Sequence, residues 1–309
     1  MIYTCTLNTA IDMFVQMENF VTDKVNRSLY DELQPNGKGV NISIILNRLK
    51  TSSTAIGFIG GFTGKFVNDE LLKLGIKTDF IEVSGDTRIN VFLNSNQGEY
   101  KIVNRGPTIS QNEKEELLKK INNLTNKDTL FVSGSLPMGL DSEILKNIAE
   151  ISFKNKFRLV LDTSNPVLRN LMKYQPFLIK PNEEELQNLF PGLSISNESE
   201  MLKAAETLLH EGCKNILVSL GSKGAYFLNK TEKYYCTAPN GTLVNTAGAG
   251  DTMLAAFYDT YTKTQDFKKS LKISVASGSS TAFTTGLSSF IDIEELMKQI
   301  KVIEINTTT

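Results

Sequence analysis

Short β-branched runs alternate with longer amphipathic segments along most of this chain, and that alternation limits its fold more than any other feature. Strand-like runs lie at 2–7, 54–59, 129–133, 158–162, 177–179 and 215–219. Helix-like segments fall between them, near 40–49, 64–74, 113–121, 142–151, 183–189 and 200–210. The pattern predicts a parallel sheet covered by helices on both faces. From Asp251 to Lys301 the chain reads as helices. At 309 residues it suits one large domain, or one domain with a substantial insert.

Two stretches, about 10–36 and 87–105, break the rhythm. Both carry strand-like pieces (13–17, 89–93, 100–103) with no covering helix. They are expected either to form a small separate sheet or to be two surface hairpins. No internal repeat is present, and the Thr307-Thr308-Thr309 end is expected to fray.

Composition excludes several function classes. Lys and Arg total 33 against 34 for Asp and Glu, so net charge offers nucleic acid no overall attraction. The first residues lack a secretory signal, no segment reaches the roughly 20 apolar residues that span a bilayer, and no membrane role is expected. Three cysteines without a CxxC pair or metal-ligand spacing fit reduced thiols in a cytoplasmic protein. The single histidine, His210, lies in an amphipathic stretch as an incidental helix position. Ser-His-Asp and zinc hydrolase chemistry are thereby set aside.

Four segments can carry chemistry. Gly248-Ala249-Gly250-Asp251 precedes the apolar run Thr252-Met253-Leu254-Ala255-Ala256-Phe257. A glycine turn at a helix start presents free N–H groups to an anion, with Asp251 beside them; an ordinary capped helix gives the same letters. Asn36-Gly37-Lys38-Gly39-Val40-Asn41 opens another apolar helix, and its glycines allow close approach to a polyol or serve a plain surface turn. Lys180-Pro181-Asn182-Glu183-Glu184-Glu185 places Asn182 and Glu185 three apart at a strand's carboxyl end, suited to Mg²⁺ through water or to an acidic first turn. Ser219-Leu220-Gly221-Ser222-Lys223-Gly224 can line a nucleotide or form a hairpin turn. Arg88, with Lys101 and Arg105, offers cations for a phosphate or for an exposed edge.

Taken in order, these segments resemble the ribokinase-like sugar kinases of the phosphofructokinase-B type. Leu7-Asn8-Thr9-Ala10-Ile11-Asp12 and Val218-Ser219-Leu220-Gly221 complete the set, and the similarity runs through the whole chain. The resemblance implies a three-layer α/β/α fold, mainly parallel, with a small β-sheet lid formed by 10–36 and 87–105. The main nucleotide-binding and catalytic domain would then comprise 1–9, 37–86 and 106–309.

It also implies roles. Asp251 would be the base, with Gly248, Ala249 and Gly250 as the anion hole. Asp12, Gly37, Gly39 and Asn41 would hold sugar hydroxyls. Lys38 and Arg88, with Lys101 or Arg105, would bind a phosphate already on the sugar. Asn182 and Glu185 would organise Mg²⁺, and 219–224 would line ATP. The lid would close over the sugar and form a homodimer contact. The segments Gly57-Phe58-Ile59-Gly60-Gly61-Phe62-Thr63-Gly64 and Thr87-Arg88-Ile89-Asn90 are similar to those of 1-phosphofructokinases, implying fructose 1-phosphate as substrate and fructose 1,6-bisphosphate as product. Tagatose-6-phosphate kinases stand next. Thr9 and Asn36 depart from the family's usual Pro and Gly. A catalytically silent sugar-phosphate or nucleotide sensor and a nucleoside kinase are the competing readings; retention of Asp251 with its glycines, and the cations at 38 and 88, stand against them.

Overall fold

The computed structural model describes residues 1–305; Thr307-Thr308-Thr309 lie outside the described residues. Ile2–Thr6 hydrogen-bonds in parallel to Thr54–Gly60 on one side and to Thr129–Ser133 on the other. Arg158–Asp162, Leu178–Ile179 and Asn215–Ser219 continue the parallel run. The sheet then reverses through the antiparallel strands Ala225–Asn229, Lys233–Cys236 and Val302–Glu304.

Strand side chains alternate between faces, and both faces here are buried. Leu130 and Val132 enter one core with Leu159, Leu161, Ile216 and Val218. Phe131, Val160 and Leu217 point the other way, onto Ile45, Leu254, Phe257 and Tyr258. The helix Ala249–Thr264 is buried along ten consecutive residues, Asp251 to Thr260, and packs on the helices Lys38–Arg48 and Phe267–Ala282. It therefore carries the Gly-rich turn into the middle of the molecule.

Register aligns the ends of three neighbouring strands. Thr6 pairs with Ser133, and Ser133 with Asp162. Loops leaving this carboxyl edge hold most of the singled-out segments, as open α/β sheets place their ligands.

A second sheet has the order Tyr30–Asn36, Ala10–Gln16, Arg88–Ser95, Gly98–Ile102. The expectation of a small separate sheet holds, and the hairpin alternative falls away because Ala10–Gln16 pairs in parallel with Arg88–Ser95. One face aligns Gln34, Asp12 and Asn90; the other aligns Leu33, Met13, Val91 and Ile102.

Some elements differ from the sequence reading, and one open alternative is decided. The strand Tyr30–Asn36 was not anticipated, since Asp31, Glu32 and Pro35 break its β pattern; pairing along Ala10–Gln16 overrides that weak propensity. The antiparallel pair 225–229 and 233–236 was also missed. The turn Gly221–Lys223 joins two antiparallel strands, so the hairpin reading of that segment describes its backbone.

Leu254 is fully buried between the sheet and its neighbouring helices. Leu254→Ala should destabilise the fold by about 2–5 kcal/mol. A urea unfolding midpoint equal to that of the parent would show that this helix is not a core element.

Candidate active site

Gly248 stands at φ +74°, a left-handed conformation that favours glycine, and a Cβ there would also have to displace a Leu287 methyl 2.5 Å away. The helix starts at Ala249, putting Asp251 in its first turn. The Ala249 amide donates to the Thr246 carbonyl at 3.3 Å. Among the described residues, no protein acceptor takes the Gly250 or Asp251 amide. Of the amides expected to form an anion hole, that of Ala249 is taken within the chain, while those of Gly248 and Gly250 have no protein acceptor among the described residues.

Asp251 is 6% exposed. Burial pushes its carboxyl up to about 6, with the nearby Asp162 charge adding to the rise. Lys38, the Asn41 hydrogen bond and Lys180 pull the other way. Asn41 Nδ2 donates to Asp251 Oδ2 at 2.8 Å.

Asp162, at the end of its strand, is fully buried and accepts from two ammonium groups. Lys38 Nζ lies 3.2 Å and Lys180 Nζ 3.3 Å from its Oδ1. Burial alone would raise this carboxyl, but the two lysines reverse the effect and hold it below the ordinary carboxylate range. Burial opposes the charge of Lys38 too, yet Asp162, Asp251 and Glu185 together raise its pKa above the usual lysine value. A Cβ at Gly250 would come 3.2 Å from Lys180 Nζ, so this cation stands over the glycine turn. Lys38 is accordingly placed with Asp162 and Asp251, on the side of the turn, and not among the cations of the small sheet.

Asp12 is 1% exposed and accepts from Asn90 Nδ2 at 2.8 Å and from Asn36 Nδ2. Burial raises its carboxyl, while Asn90, Asn36 and the Arg88 charge counter the rise. A cavity of about 370 Å³ opens between the small sheet and the Gly-rich turn, lined by Gln34, Asn36, Asn41, Asn245 and Gly248. Gly37 and Gly39 lie against Thr6, where a Cβ would come within 2.5 Å of its side chain, so they pack the helix start onto the first strand.

The cations of the small sheet do not converge as one cluster. Arg88 donates one N–H of each terminal nitrogen, to the carbonyls of Asn104 at 3.1 Å and Asn8 at 3.0 Å, and its buried Nε has no protein partner. Lys101 pairs with Glu99 at 3.5 Å and lines a cavity beside Phe14 and Phe92 that adjoins the first through Phe14, Glu32, Asn245 and Thr285. Arg105 is exposed, and its carbonyl accepts from Asn8 Nδ2 at 3.3 Å.

Asn182 and Glu185 form a capping box: Asn182 Oδ1 accepts the Glu185 amide at 2.7 Å, and Glu185 Oε2 the Asn182 amide at 3.0 Å. Asn182 also bridges to Ser219, bringing this pair beside the loop proposed for nucleotide. In that loop Leu220 is buried, Gly221, Ser222 and Lys223 are exposed, and Lys223 pairs with Glu183 at 3.3 Å. Gly224 packs on the Cys236 carbonyl, where a Cβ would come within 1.9 Å. Among the described residues, no group of three or more His, Cys, Asp or Glu is placed to hold a metal directly.

Sequence reasoning missed Asp162, Lys180, Asn90 and Ser135, which lies 3.5 Å from Asn8 Nδ2. A signal existed for the first two: each is a charge closing an apolar strand, Leu159-Val160-Leu161-Asp162 and Leu178-Ile179-Lys180. Asn90 stood in the family-like segment Thr87-Arg88-Ile89-Asn90 without a role of its own, and nothing marked Ser135.

The model of a family described as the pfkB family carbohydrate kinases matches residues 4–294. The chain belongs to that family. This carbohydrate kinase is 45% identical to a D-tagatose-1-phosphate kinase from Bacillus licheniformis, over 98% of this chain and 99% of that protein. It is 38% identical to a 1-phosphofructokinase from Borreliella burgdorferi, over the full length of both. Its fold matches phosphofructokinase-2 from Escherichia coli, solved in complex with substrates and products, with a TM-score of 0.89, 26% identity and coverage of 96% and 98%. No helix among the described residues is long and apolar enough to cross a membrane.

In this kinase the Asp251 carboxyl should titrate near 6, and Asn41→Ala should move that value higher, because the lost hydrogen bond favours the ionised form. Carbon-13 NMR of aspartate-labelled protein measures both. A titration near the ordinary value of 3.8 would show that burial does not govern this group.

Proposed function

We propose that this kinase transfers the γ-phosphoryl group of ATP to the free primary hydroxyl of a ketohexose 1-phosphate, giving the 1,6-bisphosphate. The observation that carries the reading is the buried Asp251 beside free amides at a helix start, joined to Asp12 through Asn41 and Asn36, which line the cavity between the small sheet and the Gly-rich turn. Asp251 takes the hydroxyl proton while the sugar oxygen attacks the γ-phosphorus and the bond to ADP breaks. The Gly250 and Asp251 amides, with Lys38 and Lys180, meet the charge of the transferring group. Asp12 and Asn41 bind sugar hydroxyls, and the exposed residues 221–223 lie along the nucleotide.

Phosphoryl transfer from ATP draws on a divalent cation, and Mg²⁺ supplies charge neutralisation when bound. The donor set fits attachment through water: Asn182 and Glu185 keep oxygen lone pairs beyond their capping bonds, and the buried Asp162 Oδ2 has no protein partner.

Fructose 1-phosphate and its C4 epimer tagatose 1-phosphate are both substrates of this reading, the second because of the 45% identity to the B. licheniformis enzyme. Turnover with ATP and Mg²⁺ should favour these two over tagatose 6-phosphate, fructose 6-phosphate and fructose in kcat/KM. A preference for a 6-phosphate would reverse the proposed orientation of the sugar. Binding without turnover of any would bring forward the silent sensor.

Asp251→Asn should lower kcat by roughly 10²–10⁴-fold. In the parent enzyme the rate should climb with pH through about 6 and level above it, since Asp251 accepts a proton only when ionised. Maximal activity already present at pH 5 would remove Asp251 as the base.

The outer face of the small sheet supports self-association. Leu33 is 44% and Ile102 56% exposed, and both align with Met13 and Val91. An exposed apolar sheet face fits a homodimer in which two such sheets meet. Ile102→Asp should convert dimers to monomers in sedimentation velocity. A parent enzyme that sediments as a monomer at micromolar concentration would end this reading.

A further inference from the structure

Asn36 ends the strand Tyr30–Asn36, and Gly37 caps the following helix, so its side chain sits where the small sheet joins the main body. Its Oδ1 accepts from the Gly37 amide and from Asn41 Nδ2, the latter at 3.1 Å. Its Nδ2 donates to Asp12 Oδ2. These partners leave one orientation for the Asn36 amide: the reverse would set its NH₂ against two donors and its carbonyl against a carboxylate.

Asn41 is oriented in turn. Its NH₂ has two hydrogens, one taken by Asn36 Oδ1 and the other by Asp251 Oδ2. Asp251 alone could not keep it so. A carboxyl that gains a proton can become a donor, and a lone asparagine can turn its carbonyl toward it. Asn36, an acceptor throughout the reaction, forbids that turn.

We propose that Asn36 is a positioning residue that locks Asn41 as a donor to Asp251 Oδ2, so that the proton of the sugar hydroxyl is received on Oδ1. This inference rests on Asp251 being the base. Balance is simple: the O–H bond of the sugar breaks, its proton goes to Asp251 Oδ1, and the oxygen's electron pair forms the new bond to phosphorus as ADP leaves. The other charged groups facing Asp251 are Asp162, Lys38 and Lys180, with Glu185 acting on Lys38, and none of them touches Asn36.

The test is the pH dependence of kcat for the parent, Asn36→Ala and Asn36→Ser, with melting curves for each. The serine variant serves if the alanine variant does not fold. Expected are a fall in kcat of about ten-fold, the effect of one weakened hydrogen bond, and an acid limb moved to higher pH. KM for ATP should stay within two-fold, a margin set by ordinary changes in uniform binding. Unchanged kcat and acid limb in a folded variant would overturn the proposal. A loss of activity with an unmoved limb marks a merely structural residue and overturns it equally. Failure of the underlying reading shows separately, as an active Asp251→Asn enzyme or a parent profile without an acid limb.

Discussion

One buried carboxylate holding two ammonium groups organises the carboxyl edge of the main sheet. Asp162 has no solvent to stabilise its charge, so Lys38 and Lys180 must both reach it from different elements. Lys38 comes from the start of a helix and Lys180 from the end of a neighbouring strand. Their meeting draws the Asn36–Asn41 segment and the Lys180–Glu185 segment toward Asp251. Removing one partner of a buried ion pair is far more disruptive than the net worth of the pair suggests. The arrangement is therefore a constraint on geometry more than a source of stability.

The second sheet depends on that centre through side-chain amides. Asn90, Asp12, Asn36, Asn41 and Asp251 form an unbroken hydrogen-bonded series from the small sheet to the helix that starts at Ala249. Every member has its orientation set by the next, which gives a polar network its specificity in a low-dielectric interior.

Much of this was legible in the sequence. Strands 129–133, 158–162 and 215–219 begin and end where β-branched content predicts, because strands buried on both faces read as continuous apolar runs. Gly248 and Asp251 were legible only when taken in order with the other segments, since a glycine turn before an apolar helix is also an ordinary helix start. Tyr30–Asn36 was not, since its pairing comes from a neighbour 20 residues away and not from its own letters. Lys38 was half legible: it stood in a segment singled out for chemistry, but nothing in the sequence pairs it with Asp162, 124 residues away. The Arg88 contacts were not legible either: nothing in the letters ties its guanidinium to the main-chain carbonyls of Asn8 and Asn104.

The Arg88 fork has a mechanical meaning. The chain passes between the main body and the small sheet four times, near Thr9, Asn36, Thr87 and Arg105. Arg88 clasps the carbonyls of Asn8 and Asn104, at two of those passages, while Asn36 secures a third. A sheet fastened at three of its four joints is braced across its whole breadth, and a displacement of that seam would reach Asp251 by way of Asp12 and the amides.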